Sequence, residues 1–159
     1  YAAVVVGDKV VAVPFDASQI LVVDAEAGSH RYISGYYDPS SHKYSTAFVV
    51  GDKVVAVPDK SKQILVVDVV ADTWRYISGY KNTLGASKYL CGAVVGNKVV
   101  AIPFGETKIL VVDPAADSYR HISGYSDTTH GGKYVSANLV GNKVVAVPRD
   151  ASKILVVDP

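Results

Sequence analysis

The sequence has no methionine and a single cysteine, Cys91, among its 159 residues. One thiol excludes an intrachain disulfide framework and a metal site built from several cysteines, and it is compatible with a reducing or an oxidising compartment. No apolar run approaches the roughly 20 residues that a membrane-spanning helix requires, and no charged-then-apolar signal segment opens the chain. We therefore expect a soluble chain without a membrane span, and its localisation stays unknown.

Excess charge of one sign is also missing, because 16 Lys and Arg residues stand against 15 Asp and Glu residues. Such a balance gives no long-range attraction for nucleic acid or anionic membranes, so we expect no nucleic-acid partner. Hydrophobic residues make up 49% of the chain, which favours one packed domain over 1–159. Since the sequence begins at Tyr1 and lacks methionine, we expect a processed, excised or incomplete piece of a longer chain.

An internal repeat dominates the sequence. The segment Val-Gly-Asp/Asn-Lys-Val-Val-Ala-Val/Ile-Pro recurs with its glycine at Gly7, Gly51, Gly96 and Gly141, at separations of 44, 45 and 45 residues. Ile-Leu-Val-Val-Asp follows each time, and Arg-Tyr/His-Ile-Ser-Gly-Tyr follows the first three times. The pattern predicts repeats at approximately 1–43, 44–88, 89–133 and 134–159, the last without its outer strand.

Each repeat is predicted to hold four short strands, A to D, because segments rich in Val, Ile and Tyr alternate with Gly, Asp, Asn, Ser and Pro. The Gly-Asp and Gly-Asn pairs suit two-residue hairpins, so strands A and B should be antiparallel neighbours. Strands B and C, as in 53–57 and 64–67, are apolar throughout and should be buried on both faces. Small residues in strand A indicate that it is the innermost strand.

The segments Ala93-Val-Val-Gly-Asn-Lys-Val-Val-Ala-Ile102 and Ile109-Leu-Val-Val-Asp-Pro-Ala-Ala-Asp-Ser-Tyr-Arg120 resemble a Kelch-type blade. Trp74 and Tyr119 match the aromatic residue that opens strand D in Kelch repeats, whereas His30 departs from it and the double glycine after strand B is absent. The chain also resembles uncharacterised propeller-like repeats of protist and bacterial proteins. The resemblance implies an all-β β-propeller, or part of one, with four-stranded antiparallel blades of about 45 residues; a β-solenoid is the rival architecture.

In a propeller of this strand order, the B-to-C and D-to-A loops share one face. The D-to-A loops differ most between repeats, and specificity is usually placed where a regular scaffold diverges. We expect Tyr36, Tyr80 and Tyr125, which recur in every complete repeat, to be architectural. The predicted binding residues are those on this face that do not recur: Phe15, Tyr37, His42, Lys81, Phe104, His130 and Arg149.

Motifs for catalysis are missing. The four histidines form no metal-ligand pair, and neither a nucleophile elbow nor a phosphate-binding glycine loop is present. Cys91 lacks a histidine in its own repeat and is interpreted as a small strand-A residue. The aspartates at 68, 72, 113 and 117 are better explained by turns than by calcium. We therefore expect no catalytic residue, no metal and no cofactor.

The lysines of the A-to-B turns, Lys9, Lys53, Lys98 and Lys143, form a possible anion-binding rim, but solvated turns with locally balanced charge explain them better. The leading hypothesis is a non-enzymatic interaction or structural scaffold module that binds a protein partner or belongs to a larger complex. The alternatives are a propeller hydrolase or lyase with loop-borne residues, and a glycan-binding propeller. A homodimer that closes a ring is a further expectation, and irregular differences between repeats argue against a designed chain.

Overall fold

The computed structural model describes residues 2–83, 87–125, 127 and 131–159. Within these ranges the chain forms fifteen β-strands and no helix. None of the described segments forms a helix that could cross a membrane. An all-β architecture is thereby established, as the sequence predicted.

The strands form four sheets in chain order. Sheet 1 holds β1 (Ala3–Val6), β2 (Lys9–Ala12), β3 (Leu21–Asp24) and β4 (Ser29–Tyr32). Sheet 2 holds β5 (Thr46–Val50), β6 (Lys53–Val57), β7 (Leu65–Asp68) and β8 (Thr73–Tyr76). Sheet 3 holds β9 (Tyr89–Val95), β10 (Lys98–Pro103), β11 (Ile109–Asp113) and β12 (Ser118–Ile122). Sheet 4 holds β13 (Tyr134–Val140), β14 (Lys143–Pro148) and β15 (Leu155–Val157).

Every sheet is an antiparallel meander, in which each strand pairs with the strand that follows it in the chain. In sheet 2, Val50 pairs with Lys53 across a two-residue turn, and the first turn residue, Gly51, has a φ of 60°. A positive φ at the first central residue alone is typical of a type II′ turn, whose twist matches that of paired strands. The predicted hairpin between strands A and B is confirmed.

The core consists of three apolar layers, one between each pair of successive sheets. In sheet 2, Val54 and Leu65 pack toward sheet 1, whereas Val55 and Val66 pack toward sheet 3. All four are at most 2% exposed. Strands B and C are therefore buried on both faces in the central sheets, as the continuous apolar pattern predicted.

The outer face of sheet 4 departs from that prediction. Val147, Ile154 and Val156 are 58%, 65% and 57% exposed, although their counterparts in the second repeat, Val57, Ile64 and Val66, are buried. The side chains are of the same type, but no further sheet among the described residues covers them. Burial of this face depends on a neighbour that the local sequence does not specify.

Successive sheets meet most closely along their first strands, since β1 contacts β5, β5 contacts β9, and β9 contacts β13. Gly92 in β9 illustrates the crowding, because a Cβ atom there would lie 3.0 Å from Cζ of Phe48 in the preceding sheet. The small residues predicted for strand A thus lie where the sheets converge. No sheet closes on itself, and the described residues form no closed ring.

Candidate binding site

The B-to-C and D-to-A loops adjoin each other at one edge of the sheets, and we call this surface the loop face. It comprises the B-to-C loops 14–19, 58–63, 104–108 and 149–153 and the described parts of the D-to-A loops 36–43, 80–88 and 125–133. Asp38 N donates to Ser18 O at 3.0 Å, and Asn82 N donates to Lys62 O at 3.1 Å. Backbone hydrogen bonds therefore join the two loops of one repeat.

A lysine at the end of each D-to-A loop bridges two successive B-to-C loops through its backbone. The amide of this lysine donates to the preceding B-to-C loop, and its carbonyl accepts from the next one. The bonds are Lys43 N to Phe15 O (2.9 Å), Asp59 N to Lys43 O (2.9 Å), Lys88 N to Asp59 O (3.0 Å), Phe104 N to Lys88 O (2.8 Å), Lys133 N to Phe104 O (3.1 Å) and Arg149 N to Lys133 O (2.8 Å). A continuous backbone network fixes the four B-to-C loops relative to one another.

The side chains of these lysines are buried rather than solvated. Lys43, Lys88 and Lys133 are 0%, 1% and 1% exposed. Nζ of Lys88 donates to the carbonyl oxygens of Asp59 (3.2 Å) and Ser61 (3.1 Å), and Nζ of Lys133 donates to Glu106 O (3.0 Å). Burial lowers the pKa of the Lys43 and Lys88 amino groups. Each lysine thus holds the loops with its backbone and, in repeats 2 and 3, with its ammonium group as well.

A tyrosine follows each bridging lysine and binds a B-to-C loop: Tyr44 OH accepts from Ser61 Oγ at 3.0 Å, and the other two anchor the far end of their loop. Tyr89 OH donates to Lys108 O at 3.2 Å, and Tyr134 OH donates to Lys153 O at 2.9 Å. Both rings are at most 1% exposed. Sequence reasoning missed these residues, although the Lys-Tyr pair recurs at 43–44, 88–89 and 133–134 and was the available signal.

Two pairs of predicted binding residues come together on the loop face. The rings of Phe15 and His42 lie 4.7 Å apart between centroids, and His42 N donates to Asp16 Oδ1 at 2.8 Å. The guanidinium carbon of Arg149 lies 6.0 Å from the ring centroid of Phe104, which is within the range of a cation–π interaction. Each pair combines a flat apolar ring with a group that can hydrogen-bond or carry charge.

The other predicted binding residues stand outside these pairs. Tyr37 is 72% exposed, and Lys81 is exposed at the start of the second D-to-A loop. His130 lies outside the described residues. The prediction that these three residues contact a ligand stays a prediction.

Two buried carboxylates on the loop face were not predicted. Glu106 is 5% exposed, and it accepts hydrogen bonds from Asn82 Nδ2 and from Thr107 N. Asp59 is 4% exposed, and its Oδ1 has no hydrogen-bond partner within the described part of the chain. An unsatisfied buried oxygen beside Lys88 is a place where a ligand or water could bind.

Two of the three repeated tyrosines that follow strand D, Tyr36 and Tyr80, are architectural, as predicted, whereas Tyr125 is half-buried. Tyr36 and Tyr80 are 2% and 3% exposed. Tyr36 packs edge-on against Trp74 of the next sheet, and Tyr80 packs edge-on against Tyr119, each with 5.0 Å between ring centroids. Burial raises the pKa of both phenols. These rings join one sheet to the next and leave no face free for a ligand.

On the opposite face, each A-to-B lysine pairs with the aspartate that ends strand C of its own repeat. The Nζ to Oδ2 distances are 3.4 Å for Lys9 and Asp24, 2.6 Å for Lys53 and Asp68, 3.8 Å for Lys98 and Asp113, and 3.6 Å for Lys143 and Asp158. Each turn lysine is thus paired with an opposite charge in its own repeat, which supports the solvated-turn interpretation over the anion-binding rim.

The aspartates around the C-to-D turns accept hydrogen bonds from turn amides or form ion pairs between neighbouring sheets. Oδ1 of Asp68 accepts a hydrogen bond from Ala71 N at 2.9 Å, and Asp72 binds Arg31 of the preceding sheet. No group of three metal-ligating side chains occurs among the described residues. Turn formation and ion pairing therefore account for these aspartates.

No family model matches the chain, and no curated protein matches its sequence. Solved structures are similar in fold. The extracellular domain of BT4673 from B. thetaiotaomicron, assigned as a hybrid two-component system, has a TM-score of 0.74 at 8% identity, with 98% of this chain and 20% of that chain covered. Hydrazine synthase of Kuenenia stuttgartiensis has a TM-score of 0.67 at 14% identity, with 96% and 43% covered. The computationally designed protein Ika8 has a TM-score of 0.68 at 18% identity, with 97% and 44% covered.

At these identities the likeness concerns the fold alone. This chain spans less than half the length of each of the three chains, from 20% to 44%. The class that the fold and the comparisons define is an all-β array of stacked antiparallel sheets, of a kind that also occurs within larger chains.

Proposed function

We propose that the four sheets are blades of a β-propeller and that the chain is a non-enzymatic protein-interaction or scaffold module that binds its partner through the loop face. The observation that carries the binding proposal is the backbone network through Lys43, Lys88 and Lys133. It holds the B-to-C loops in fixed positions while side chains that differ between repeats remain accessible on top.

The propeller proposal is supported by the way the sheets stack. Each is an A-B-C-D meander, each successive pair shares an apolar layer, and strand A lies where neighbouring sheets converge. Blades around an axis need all three features, because each blade is covered by a neighbour on either side. The proposal includes a closed ring, which requires further blades or a second copy of the chain.

The chemistry of the loop face favours a protein partner. Phe15 with His42 and Phe104 with Arg149 present aromatic area next to hydrogen-bonding groups, a composition that is enriched at protein interfaces. Their positions are fixed, so little ordering entropy is lost on binding. A glycan stacks on aromatic rings in the same way and is the alternative ligand.

The experiment compares two variants with equal numbers of substitutions. The loop-face variant carries Phe15→Ser, His42→Ser, Phe104→Ser and Arg149→Ser; the control carries Lys9→Ser, Lys53→Ser, Lys98→Ser and Lys143→Ser on the opposite face. Partner capture with cross-linking and a glycan array would be run on both and on the unmodified chain. Retention in the control and loss in the loop-face variant would support the proposal. It fails if both probes detect nothing, or if only the control loses binding.

A second candidate, a hydrolase or lyase, is favoured by one observation, the unsatisfied Oδ1 of buried Asp59 beside Lys88. A buried carboxylate near an amine of lowered pKa is a combination used in acid–base catalysis. Turnover of chromogenic ester, glycoside or phosphate substrates that Asp59→Asn abolishes and Asp52→Asn leaves intact would favour this candidate. Equal rates in the two variants would dismiss it.

A further inference from the structure

In sheet 4 the third strand forms the outer edge, whereas in the other three sheets a fourth strand does. The order of sheet 4 is β13-β14-β15, whereas a fourth strand covers β3, β7 and β11. In sheets 1 and 2 the bond to the fourth strand is visible just before strand C, where Ile33 N donates to Ile20 O and Ile77 N donates to Ile64 O, both at 3.1 Å. Along an antiparallel strand the backbone N–H and C=O groups of successive residues point alternately to the two neighbouring strands. Ile154 is equivalent to Ile64, so the backbone groups of Ile154 and Val156 point to the open side.

A cavity of about 500 Å³ adjoins this edge, and it is lined by Ile122, Tyr125, Ile154 and Val156 among others. At the two preceding boundaries the equivalent tyrosine receives an aromatic ring from the next strand D, Trp74 on Tyr36 and Tyr119 on Tyr80. The cavity therefore lies where an aromatic side chain packs in the earlier repeats.

Arg120 supplies a third indication. Its equivalents Arg31 and Arg75 bind Asp72 and Asp117, which lie in the C-to-D turn of the next repeat. Arg120 itself is exposed and has no ion pair within the described part of the chain. Its guanidinium is at the boundary where the next such turn would lead into a fourth strand of sheet 4.

We propose that the free edge of β15 and the adjoining cavity are a docking site for an extended polypeptide segment from outside residues 1–159, with the pattern Asp-Ser/Thr-aromatic-Arg-aromatic-Ile. The segment adds an antiparallel fourth strand to sheet 4, a recognised mode of peptide binding. By the register of the earlier sheets, where Val67 faces Trp74 and Val112 faces Tyr119, its first aromatic lies opposite Val157. That ring packs on Tyr125, and the leading aspartate binds Arg120.

This occupant fits the site better than a folded second copy. Every strand of that pattern within the chain, β4, β8 and β12, is already paired in its own sheet. A second copy would have to open one of those sheets before it could donate a strand. An unpaired segment has no such pairing to give up, so it is the simpler occupant of the edge.

The test measures binding of a labelled peptide with the sequence of residues 71–80, Ala-Asp-Thr-Trp-Arg-Tyr-Ile-Ser-Gly-Tyr, to the full chain by fluorescence anisotropy. The control peptide carries Trp74→Ser and Ile77→Ser and keeps the same charges. We expect saturable binding of the first peptide and at least about tenfold weaker binding of the second, since the control loses both apolar anchors.

Protein variants locate the site. Val156→Pro removes the amide that faces the open side, and proline is tolerated on edge strands, so binding should be lost while the circular dichroism spectrum stays unchanged. Arg120→Gln, an exposed change that cannot unfold the core, should weaken binding about threefold. Arg149→Gln on the loop face should have no effect, which separates this site from the proposed function.

Three outcomes would overturn the proposal. One is equal affinity for the two peptides, and another is binding that neither Val156→Pro nor Arg120→Gln weakens. The third is a stable dimer by native mass that binds no peptide, because a second copy would then occupy the edge.

Discussion

The guanidinium of Arg75 crosses the boundary between sheets 2 and 3 and binds the carboxylate of Asp117. Its second nitrogen donates to Pro114 O, and Ser78 Oγ donates to the other Asp117 oxygen. Arg31 and Asp72 repeat the arrangement one boundary earlier. Asp117 and Asp72 have φ values of 50° and 55°, a region that favours glycine. Both positions therefore hold an aspartate despite backbone strain, and the carboxylate links consecutive sheets.

Asp117→Asn is expected to lower the free energy of unfolding by about 0.5 kcal/mol at neutral pH, a small effect because the pair is partly exposed. The hydrogen bond from Ser78, and then the charge of Arg75, lower the pKa of Asp117. A carboxylate whose pKa is lowered by folding stabilises the fold at pH values above its unfolded pKa of about 3.9. That contribution is lost as pH falls through the folded pKa. Urea unfolding from pH 7 to pH 2 should therefore show the difference between the two proteins shrinking in acid.

The control for this pair is Arg120→Gln, which removes an equivalent arginine that has no ion pair within the described residues. It should leave the free energy of unfolding unchanged at both ends of the pH range. A loss as large as that of Asp117→Asn would contradict the role assigned to the ion pair.

Lys88→Met is expected to destabilise the chain by about 1–3 kcal/mol, because the carbonyls of Asp59 and Ser61 lose their buried donor. Burial lowers the pKa of Lys88. Between the folded pKa and the unfolded pKa of about 10.4, the unfolded state binds more protons than the folded state. The free energy of unfolding therefore rises with pH in that range. Guanidinium unfolding at pH 7 and pH 10 should show the wild-type chain gaining stability relative to the variant.

Lys98→Met is the matched control, since Lys98 lies in a solvated turn and its side chain is 45% exposed. It should change stability little at either pH. An equal effect of the two substitutions would mean that the buried network around Lys88 does not hold the loops.

Gly92→Ala is expected to destabilise the chain by about 1–3 kcal/mol through overpacking. A methyl group there would overlap the Val100 carbonyl oxygen and lie 3.0 Å from Phe48 Cζ. Thermal unfolding would measure the change. Ala47, the equivalent residue of sheet 2, provides the comparison: Ala47→Gly should cost only the smaller loss of strand propensity and packing, and a larger loss there would refute the crowding argument.

The thiol of Cys91 should react slowly in the folded chain. It is 8% exposed, and burial raises its pKa to about 12. At pH 8 we expect its reaction with a disulfide reagent to be at least about a hundredfold slower than in guanidinium, because the thiolate is scarce and shielded. Since the chain has one cysteine, the signal reports this residue alone. Equal rates in both conditions would show that strand β9 opens readily.

The residues that fix the loop face recur in the sequence, but their roles depend on contacts between residues far apart along the chain. The Lys-Tyr pair recurs three times, yet a lysine at a loop end is normally solvated, so nothing local indicates that Lys88 is 1% exposed. Its burial arises because two B-to-C loops, separated along the chain, meet over it. Likewise Asp72 gives no sequence signal of its partner Arg31, 41 residues earlier.

By itself the sequence determined the period, the strands, the two-residue hairpins and the antiparallel order, because these follow from turn chemistry and apolar patterning within a few residues. Tertiary structure alone decided which apolar faces are covered. Val66 is buried and Val156 is 57% exposed although the segments around them are nearly identical. Burial is a property of the neighbouring sheet, and the described residues provide that neighbour for sheet 2 and not for the outer face of sheet 4.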